Sequence, residues 1–128
     1  MIYVDTSVVL AQILAEDRRP PSSLWESALI SSRLTEYEVW VRLHALGLET
    51  SHGEPAQQLL ARIAFLELSP LVLTRALQPF PIRVRTLDAL HLASIEFLRS
   101  RRVVVGLATY DQRMKAAART LGIEVDES

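Results

Sequence analysis

Apolar residues along the chain form short continuous runs that alternate with longer stretches of helical spacing. The continuous runs have the composition of buried strands and lie at residues 2–4, 29–30 and 103–108, and a last strand is expected at residues 123–125. Apolar residues three or four positions apart predict helices at residues 8–14, 34–46, 70–77, 86–100 and 111–121. Short strands separated by helices imply a parallel sheet with helices on both faces. The pattern therefore predicts an α/β fold in a single domain, residues 1–128, with more helix than sheet.

Glycine and proline residues mark the predicted helix ends. Gly47 and Gly122 each follow an apolar helical stretch and predict its C-terminal end. Ser69 followed by Pro70 predicts the capped start of a short helix. Pro55 is expected in the first turn of another helix, because that position tolerates proline. The apolar stripe of this helix is formed by Leu59, Leu60, Ile63 and Leu66.

Composition narrows the classes of function that the chain can have. It has 128 residues, 49% of them apolar, 14 Lys and Arg against 15 Asp and Glu, and no cysteine. The absence of cysteine excludes disulfides, thiolate catalysis, iron–sulfur clusters and cysteine zinc sites. Only 4 glycines are present, and no phosphate-binding glycine motif occurs. The longest uncharged run spans residues 6–15, well short of the roughly 18 residues of a membrane helix, so we expect a cytoplasmic protein.

Two aspartates follow predicted strands directly. Asp5 comes after residues 2–4, and Asp111 comes shortly after residues 103–108. In open α/β sheets, ligands bind outside the carboxyl ends of the strands, so both positions are candidate site residues. Aspartate is also among the best helix N-caps, and a purely structural capping role explains either residue taken alone.

Glu38 is harder to explain as a surface residue. Leu34, Glu38 and Val41 follow the spacing of a single helix face that is otherwise apolar, which predicts an inward-pointing carboxylate. A salt bridge to Arg42, one turn later, is the structural alternative. If the carboxylate is buried among repelling charges, we expect Glu38→Leu to raise the free energy of unfolding when no metal ion is bound. If Glu38 instead forms a salt bridge with Arg42, we expect the same substitution to lower the free energy of unfolding.

Asp88 completes a set of four acids with unusual positions. It lies in the first turn of a predicted helix, where the dipole favours it, on a face that continues to Leu92 and Ile95. Two carboxylates about 5 Å apart repel by about 3 kcal/mol at an effective dielectric constant of about 20. If the four acids cluster, a cation must compensate, and all-oxygen ligands favour Mg²⁺ or Mn²⁺. His91 is expected to be a packed structural residue, since a lone helix histidine usually is.

Four segments together resemble the motif series of PIN-domain nucleases, and most closely the VapC toxins of toxin–antitoxin pairs. They read MIYVDTS at residues 1–7, LTEYEVW at 34–40, RTLDALHLA at 85–93 and TYD at 109–111. The resemblance covers nearly the whole chain, in the order of the family. It implies a three-layer α/β/α domain with a short, mainly parallel central sheet, and a Mg²⁺- or Mn²⁺-dependent endoribonuclease.

The resemblance also assigns roles to residues. The metal-binding and catalytic acids would be Asp5, Glu38, Asp88 and Asp111, with Glu36 as the alternative to Glu38. Ser7 and Thr109 would orient carboxylates or water through their hydroxyl groups. Because arginine forks suit phosphate, we expect Arg85 and Arg113 to contact RNA.

The partners that the resemblance implies are an RNA substrate, a small VapB-like antitoxin and a second copy of the chain in a homodimer. Two alternatives remain at this stage. One is a PIN nuclease that processes RNA without a toxin role. The other is a non-catalytic interaction domain in which the acids are caps and core salt bridges. A receiver-type signalling domain fits less well, because no acidic pair follows the first strand.

Overall fold

Four short strands form a parallel sheet whose spatial order differs from the order along the chain. The computed structural model describes residues 1–126, so the last two residues of the predicted domain lie outside it. The strands are β1 (Ile2–Val4), β2 (Leu29–Ser32), β3 (Ile63–Leu66) and β4 (Gly106–Ala108). Their order in the sheet is β3-β2-β1-β4, and every pairing is parallel. The chain therefore builds outward from β1 on one side and returns to its other side, which creates a switch point between β1 and β4.

Six α-helices connect and flank these strands within residues 1–126. They are α1 (Thr6–Ile13), α2 (Arg33–Ala45), α3 (Glu49–Leu60), α4 (Pro70–Ala76), α5 (Thr86–Ser100) and α6 (Gln112–Thr120). A 3-10 helix, Ser22–Glu26, lies between α1 and β2. In this described part of the chain, no helix combines the length and the apolar character needed to cross a membrane.

Alternating side chains of the central strands divide the core into two layers. Val4 packs with residues of α1, α2 and α3 on one face of the sheet. Its neighbour Tyr3 packs with residues of α5 and α6 on the other face. Leu107 and Ala108 of β4 divide in the same way, because successive strand residues point to opposite faces. The predicted α/β/α arrangement with a short parallel sheet is confirmed.

Several predicted helix ends are confirmed by the backbone. Gly47 follows α2 with a φ of 69°, and Gly122 follows α6 with a φ of 73°. Both lie in the left-handed region, which glycine adopts without steric cost. At the start of α4, the hydroxyl of Ser69 accepts a hydrogen bond from the backbone N–H of Val72, with Pro70 in the first turn.

The prediction for residues 55–66 was wrong. Ile63 and Leu66 belong to β3 instead of a helix, because this segment pairs with β2 from Leu29↔Ile63 onward. A short apolar run fits both periodicities, and pairing with a neighbouring strand decided between them. The helix α3 begins earlier than predicted, so that Pro55 lies inside it. Pro55 and Ser51 are both exposed, so the Ser51 carbonyl that loses its helical donor remains open to water.

The strand predicted at residues 103–108 is also shorter than expected. Only Gly106–Ala108 pairs with β1, which itself has three residues, and Val104 is 87% exposed. The strand predicted at residues 123–125 is reduced to one parallel bridge between Leu107 and Val125. Both differences arise because strand length is set by the partner strand, which local apolar composition does not reveal.

The turn after α1 contains a testable source of strain. Ala15 has a φ of 51°, and the Glu16 N–H donates to the Ala11 carbonyl at 3.0 Å, as in a glycine-type helix end. An L-residue pays about 1–2 kcal/mol in this region. We expect Ala15→Gly to raise the free energy of unfolding by about 0.5–1 kcal/mol in urea denaturation, after the entropy cost of glycine.

Gly47→Ala is the matched control for this prediction. The added Cβ would meet no atom within 4 Å, so its effect reports the left-handed backbone alone. We expect a loss of about 1 kcal/mol. A destabilising Ala15→Gly change would contradict the strain at Ala15.

Candidate active site

Asp5 lies buried at the end of β1, where it caps α1. Its side chain accepts hydrogen bonds from the Ser7 hydroxyl at 2.6 Å, from the Val8 backbone N–H at 3.3 Å, and from the Thr109 hydroxyl. Burial raises the pKa of Asp5, and these hydrogen bonds only partly offset that increase. The residue is 4% exposed. A capping role and a site role therefore coexist at this position.

Asp111 and Asp88 are joined by one arginine. Asp111 caps α6 and accepts from the backbone N–H groups of Arg113 at 2.9 Å and Met114 at 3.3 Å. Its other oxygen accepts from Nη2 of Arg85 at 2.7 Å, and Nε of Arg85 lies 3.3 Å from Asp88 Oδ2. The Arg85 side chain is 63% exposed, so this guanidinium bridges the two acids at the surface. The neighbouring acids raise the pKa of Arg85, with Asp88 as the largest cause.

Glu38 is held by a hydroxyl and an imidazole. Its Oε1 accepts from the Thr6 hydroxyl at 2.7 Å and lies 3.0 Å from Nε2 of His91. Nδ1 of His91 lies 2.7 Å from the Tyr3 hydroxyl. The ionised Glu38 carboxylate can only accept, so Nε2 of His91 carries the N–H that donates to it. In the neutral imidazole Nδ1 is then the acceptor for the Tyr3 hydroxyl, which keeps its proton because burial raises the pKa of Tyr3. Burial alone raises the pKa of Glu38, but the hydrogen bonds from His91 and Thr6 outweigh it and lower the pKa.

The reason given above for the inward direction of Glu38 was wrong. Val41 is 47% exposed, and the buried residues of α2 are instead Thr35, Val39 and Leu43, together with Leu34. Glu38 lies at the border of this face and reaches α5. In the described residues Glu38 is hydrogen-bonded to His91, and no salt bridge joins it to Arg42.

Glu36, the alternative to Glu38, points elsewhere. It lies 3.4 Å from the guanidinium of Arg33 on the surface of α2. Glu38 is therefore the α2 acid that faces the other site residues.

Hydroxyl and guanidinium groups connect three of the acids, Asp5, Asp111 and Asp88. The Thr109 hydroxyl donates to Asp5 and accepts from the Asp111 backbone N–H at 3.0 Å, and Arg85 then joins Asp111 to Asp88. Ser7 and Thr109, both predicted as orienting hydroxyls, thus contact Asp5. These residues lie at the carboxyl ends of β1 and β4, at the switch point of the sheet.

The acids do not form a closed cage as they stand. Within residues 1–126, no three histidine, aspartate or glutamate side chains converge closely enough to hold a metal ion. The cation that contacts two of the acids here is the guanidinium of Arg85. The expectation that Asp5, Glu38, Asp88 and Asp111 hold a divalent ion stays a prediction, and it requires that Arg85 leave Asp88 and Asp111.

Sequence reasoning missed part of this site. Thr6 was not singled out, although it lies beside Asp5 and its hydroxyl holds Glu38. His91 is buried, as expected of a structural residue, but it also orients Glu38. Arg113 is exposed, and its backbone N–H is the group that contacts Asp111. The one available signal was the run of hydroxyl residues after Asp5.

Comparisons with known proteins identify the family and agree with the fold. The sequence model of the PIN domain matches residues 2–120. Ribonuclease VapC35 of Mycobacterium tuberculosis is 34% identical, over 98% of this chain and 95% of its own length. Ribonuclease VapC46 of the same species is 35% identical, over 97% and 95%. This chain belongs to the PIN domain family and, within that family, to the VapC group.

Solved structures give the same fold at lower sequence identity. Mycobacterium tuberculosis VapC20, described as a toxin that cleaves the sarcin-ricin loop, superposes with a TM-score of 0.65 at 20% identity. The alignment covers 91% of this chain and 95% of that protein. A toxin–antitoxin complex from Klebsiella pneumoniae gives a TM-score of 0.62 at 18% identity, with 94% of both chains covered.

Removal of charge at Asp5 and at Glu38 is expected to change stability in opposite directions. In EDTA at pH 7, Asp5→Asn should raise the urea midpoint, because burial disfavours the ionised carboxylate while asparagine still caps α1. Glu38→Leu should lower the free energy of unfolding by about 1–3 kcal/mol, because it leaves the buried His91 N–H and the Thr6 hydroxyl without an acceptor. The structure thus reverses the stabilisation expected above for Glu38→Leu.

The pH dependence of this comparison has a defined sign. A raised folded-state pKa adds stability at pH below the unfolded value, and that contribution is lost as pH rises through the folded value. The stability gained by Asp5→Asn should therefore shrink as pH falls from 7 toward about 4. Asp17→Asn, at an exposed position, is the control. Equal effects at Asp5 and Asp17 would contradict the burial cost.

Proposed function

We propose that this chain is the ribonuclease toxin of a toxin–antitoxin pair, which hydrolyses RNA phosphodiester bonds with the help of Mg²⁺ or Mn²⁺. The observation that carries the proposal is the chain of contacts that joins Asp5, Asp111 and Asp88 at the switch point of the sheet, in a chain 34% identical to Ribonuclease VapC35. The first support is the position of the acids in the fold, and the second is sequence similarity over almost the full length.

The donor set fits a hard divalent cation. Asp5, Glu38, Asp88 and Asp111 offer only carboxylate oxygens, and the guanidinium that bridges two of them shows that these oxygens accept positive charge at this place. A bound cation would supply Lewis acidity to a water molecule and to the phosphate group. Because Arg85 is mostly exposed, its side chain can leave the acids without crossing the core.

Residues of the chain would prepare the acids for this role. Ser7 and Thr109 hold both oxygens of Asp5, and so fix the plane of its carboxylate. Thr6 and His91 both contact Oε1 of Glu38, which leaves Oε2 as the oxygen able to face water or a cation. Since the pKa of Glu38 is lowered, this carboxylate is ionised near neutral pH, as a cation ligand must be.

Arg85 and Arg113 are proposed to contact the RNA backbone. Both side chains are exposed and flank Asp111. Arg85 would exchange its carboxylate partners for phosphate oxygens when a cation neutralises the acids, since a guanidinium fork pairs equally well with both groups.

A small VapB-like antitoxin and a homodimer are the proposed protein partners, in the cytoplasm. The fold is shared with a chain from the Klebsiella toxin–antitoxin complex, which supports the first. Exposed apolar residues on α4 and α5 support the second: Leu71, Leu77 at 84% exposure, and Leu87. Light scattering of the isolated chain at micromolar concentration should give twice the monomer mass; a monomer mass would contradict the homodimer.

A non-catalytic interaction domain is the alternative that one observation favours. Asp5 and Asp111 are helix caps, and Asp88 and Asp111 are ion-paired, as that reading requires. A PIN nuclease that processes RNA without a toxin role is the other alternative. Growth arrest on expression, relieved by the protein of an adjoining small gene, separates the toxin from the processing enzyme.

RNA cleavage tests the proposal directly. With Mg²⁺ or Mn²⁺ present, we expect the native chain to cleave RNA, and Asp5→Asn and Asp88→Asn each to lose more than about 100-fold in rate. EDTA should abolish cleavage. Glu38→Gln should lose activity, whereas Glu36→Gln, on the same helix but paired with Arg33, should keep it.

Cleavage that survives both aspartate substitutions, or that persists in EDTA, would contradict the proposal of a metal-dependent nuclease. Complete absence of cleavage by the folded native chain across total cellular RNA would favour the interaction domain.

A further inference from the structure

A basic pocket lies beside the acids, at the end of β4. Its volume is about 240 Å³, and its lining includes Arg18, Arg19, Thr109, Tyr110 and Lys115. Drug-sized ligands occupy pockets of about 300–1,000 Å³, so this one suits a fragment of a larger ligand. None of the four acids lines the pocket, and neither does Arg85 or Arg113.

The charge of the pocket favours an anion. Its lining carries three cationic side chains, Arg18, Arg19 and Lys115, and one carboxylate, Asp126. Arg18 and Arg19 are exposed, whereas Lys115 is buried. Two guanidinium groups at the mouth of a concave surface provide the planar donor forks that bind phosphate oxygens.

The loop that carries the two arginines is held against the end of β4. The guanidinium of Arg18 stacks on the ring of Tyr110, with Cζ 4.6 Å from the ring centroid. The left-handed turn at Ala15 redirects the chain after α1, and the buried Pro20 fixes its path beyond Arg19. The arginines are thereby placed at the pocket before any ligand binds.

The pocket and the acid site share a wall. Thr109 lines the pocket, and its hydroxyl donates to Asp5. The backbone N–H of Tyr110 donates to the Ser7 hydroxyl at 3.0 Å, and that hydroxyl donates to Asp5. A ligand group in the pocket therefore lies one side chain away from the Asp5 carboxylate.

We propose that this pocket binds a phosphate group of the RNA strand that flanks the cleaved bond. Arg18 and Arg19 pair with the phosphate oxygens, Lys115 adds positive charge beneath them, and Tyr110 holds Arg18 in place. The inference rests on the proposed ribonuclease function and adds a substrate-binding site to it. An acidic segment of a protein partner is the competing occupant, and contact with the Asp5 network favours RNA.

RNA binding without cleavage provides the test. In an Asp5→Asn background, a fluorescein-labelled single-stranded RNA of random sequence is titrated by anisotropy over a range of KCl concentrations. Arg18→Ala together with Arg19→Ala should raise Kd about tenfold at low salt. The change should also reduce the slope of log K against log[salt] by about 0.7, the value for one phosphate contact on a single strand.

Arg62→Ala is the matched control. Arg62 is an exposed arginine immediately before β3, at the amino edge of the parallel sheet and opposite to the site. Its replacement should leave Kd and the salt slope unchanged. In the native background, the two arginine changes should raise KM for RNA cleavage with little effect on kcat.

A pair of Tyr110 variants separates positioning from folding. Tyr110→Phe keeps the ring under Arg18 and should bind RNA like its parent, whereas Tyr110→Leu should weaken binding. If Tyr110 only stabilises the fold, Tyr110→Leu will lower the urea midpoint without a change in Kd.

Several outcomes would contradict the binding of an RNA phosphate in the pocket. One is that the Arg18/Arg19 and Arg62 variants have equal Kd values for RNA and equal salt slopes. The others are that the Asp5→Asn chain binds no RNA, or that the arginine changes abolish capture of an antitoxin and leave RNA binding unchanged. The two proposals fail separately. RNA binding with the expected slope but no cleavage by the native chain would refute the ribonuclease function and leave the pocket. Cleavage with an unchanged KM would refute the pocket alone.

Discussion

The cost of burying carboxylate charge is the constraint on which the arrangement at the end of β1 and β4 depends, because burial raises the pKa of Asp5 and opposes ionisation of Glu38. Each acid receives a different neutralising partner: hydroxyl groups for Asp5, an imidazole N–H for Glu38, and one guanidinium for Asp88 and Asp111. The partners differ because the surroundings differ. The buried Asp5 accepts only neutral donors, while the exposed end of the site tolerates a mobile cation. The contacts of Asp5 are therefore fixed in the interior, whereas the contacts of Arg85 lie at the surface, where a different cation can replace it.

The positions of the candidate residues at the strand ends were largely predictable from sequence, and the contacts among them were not. Asp5 and Asp111 were found because strand ends can be recognised from local composition, and the sheet brings such ends together. Glu38 was predicted for the wrong reason: its helix face is not apolar, and its direction comes from His91, 53 positions away. The strand at Ile63 was missed because a short apolar run fits a helix and a strand equally well until a partner strand is present.

Core packing and site geometry are joined through β1. Tyr3 is part of the core layer beneath α5, yet its hydroxyl sets the proton of His91 and through it the orientation of Glu38. Val4, one residue later, packs on the opposite face, and Asp5 follows as the first residue of the site. Tyr3 therefore packs in one core layer, Val4 packs in the other, and Asp5 belongs to the candidate site. Few substitutions in this segment would leave all three roles intact.

The pairing of β1 with β4 has a consequence for quality control in the cell. A slip of one residue from the Tyr3↔Leu107 register would exchange Leu107 and Ala108 between the two core layers. The same slip would carry the Thr109 hydroxyl away from Asp5. Misregistered copies would thus lose core packing and the organised acid site together. If the protein is a toxin, as proposed, only correctly folded molecules would be toxic. The same molecules would have the native surface that an antitoxin can recognise.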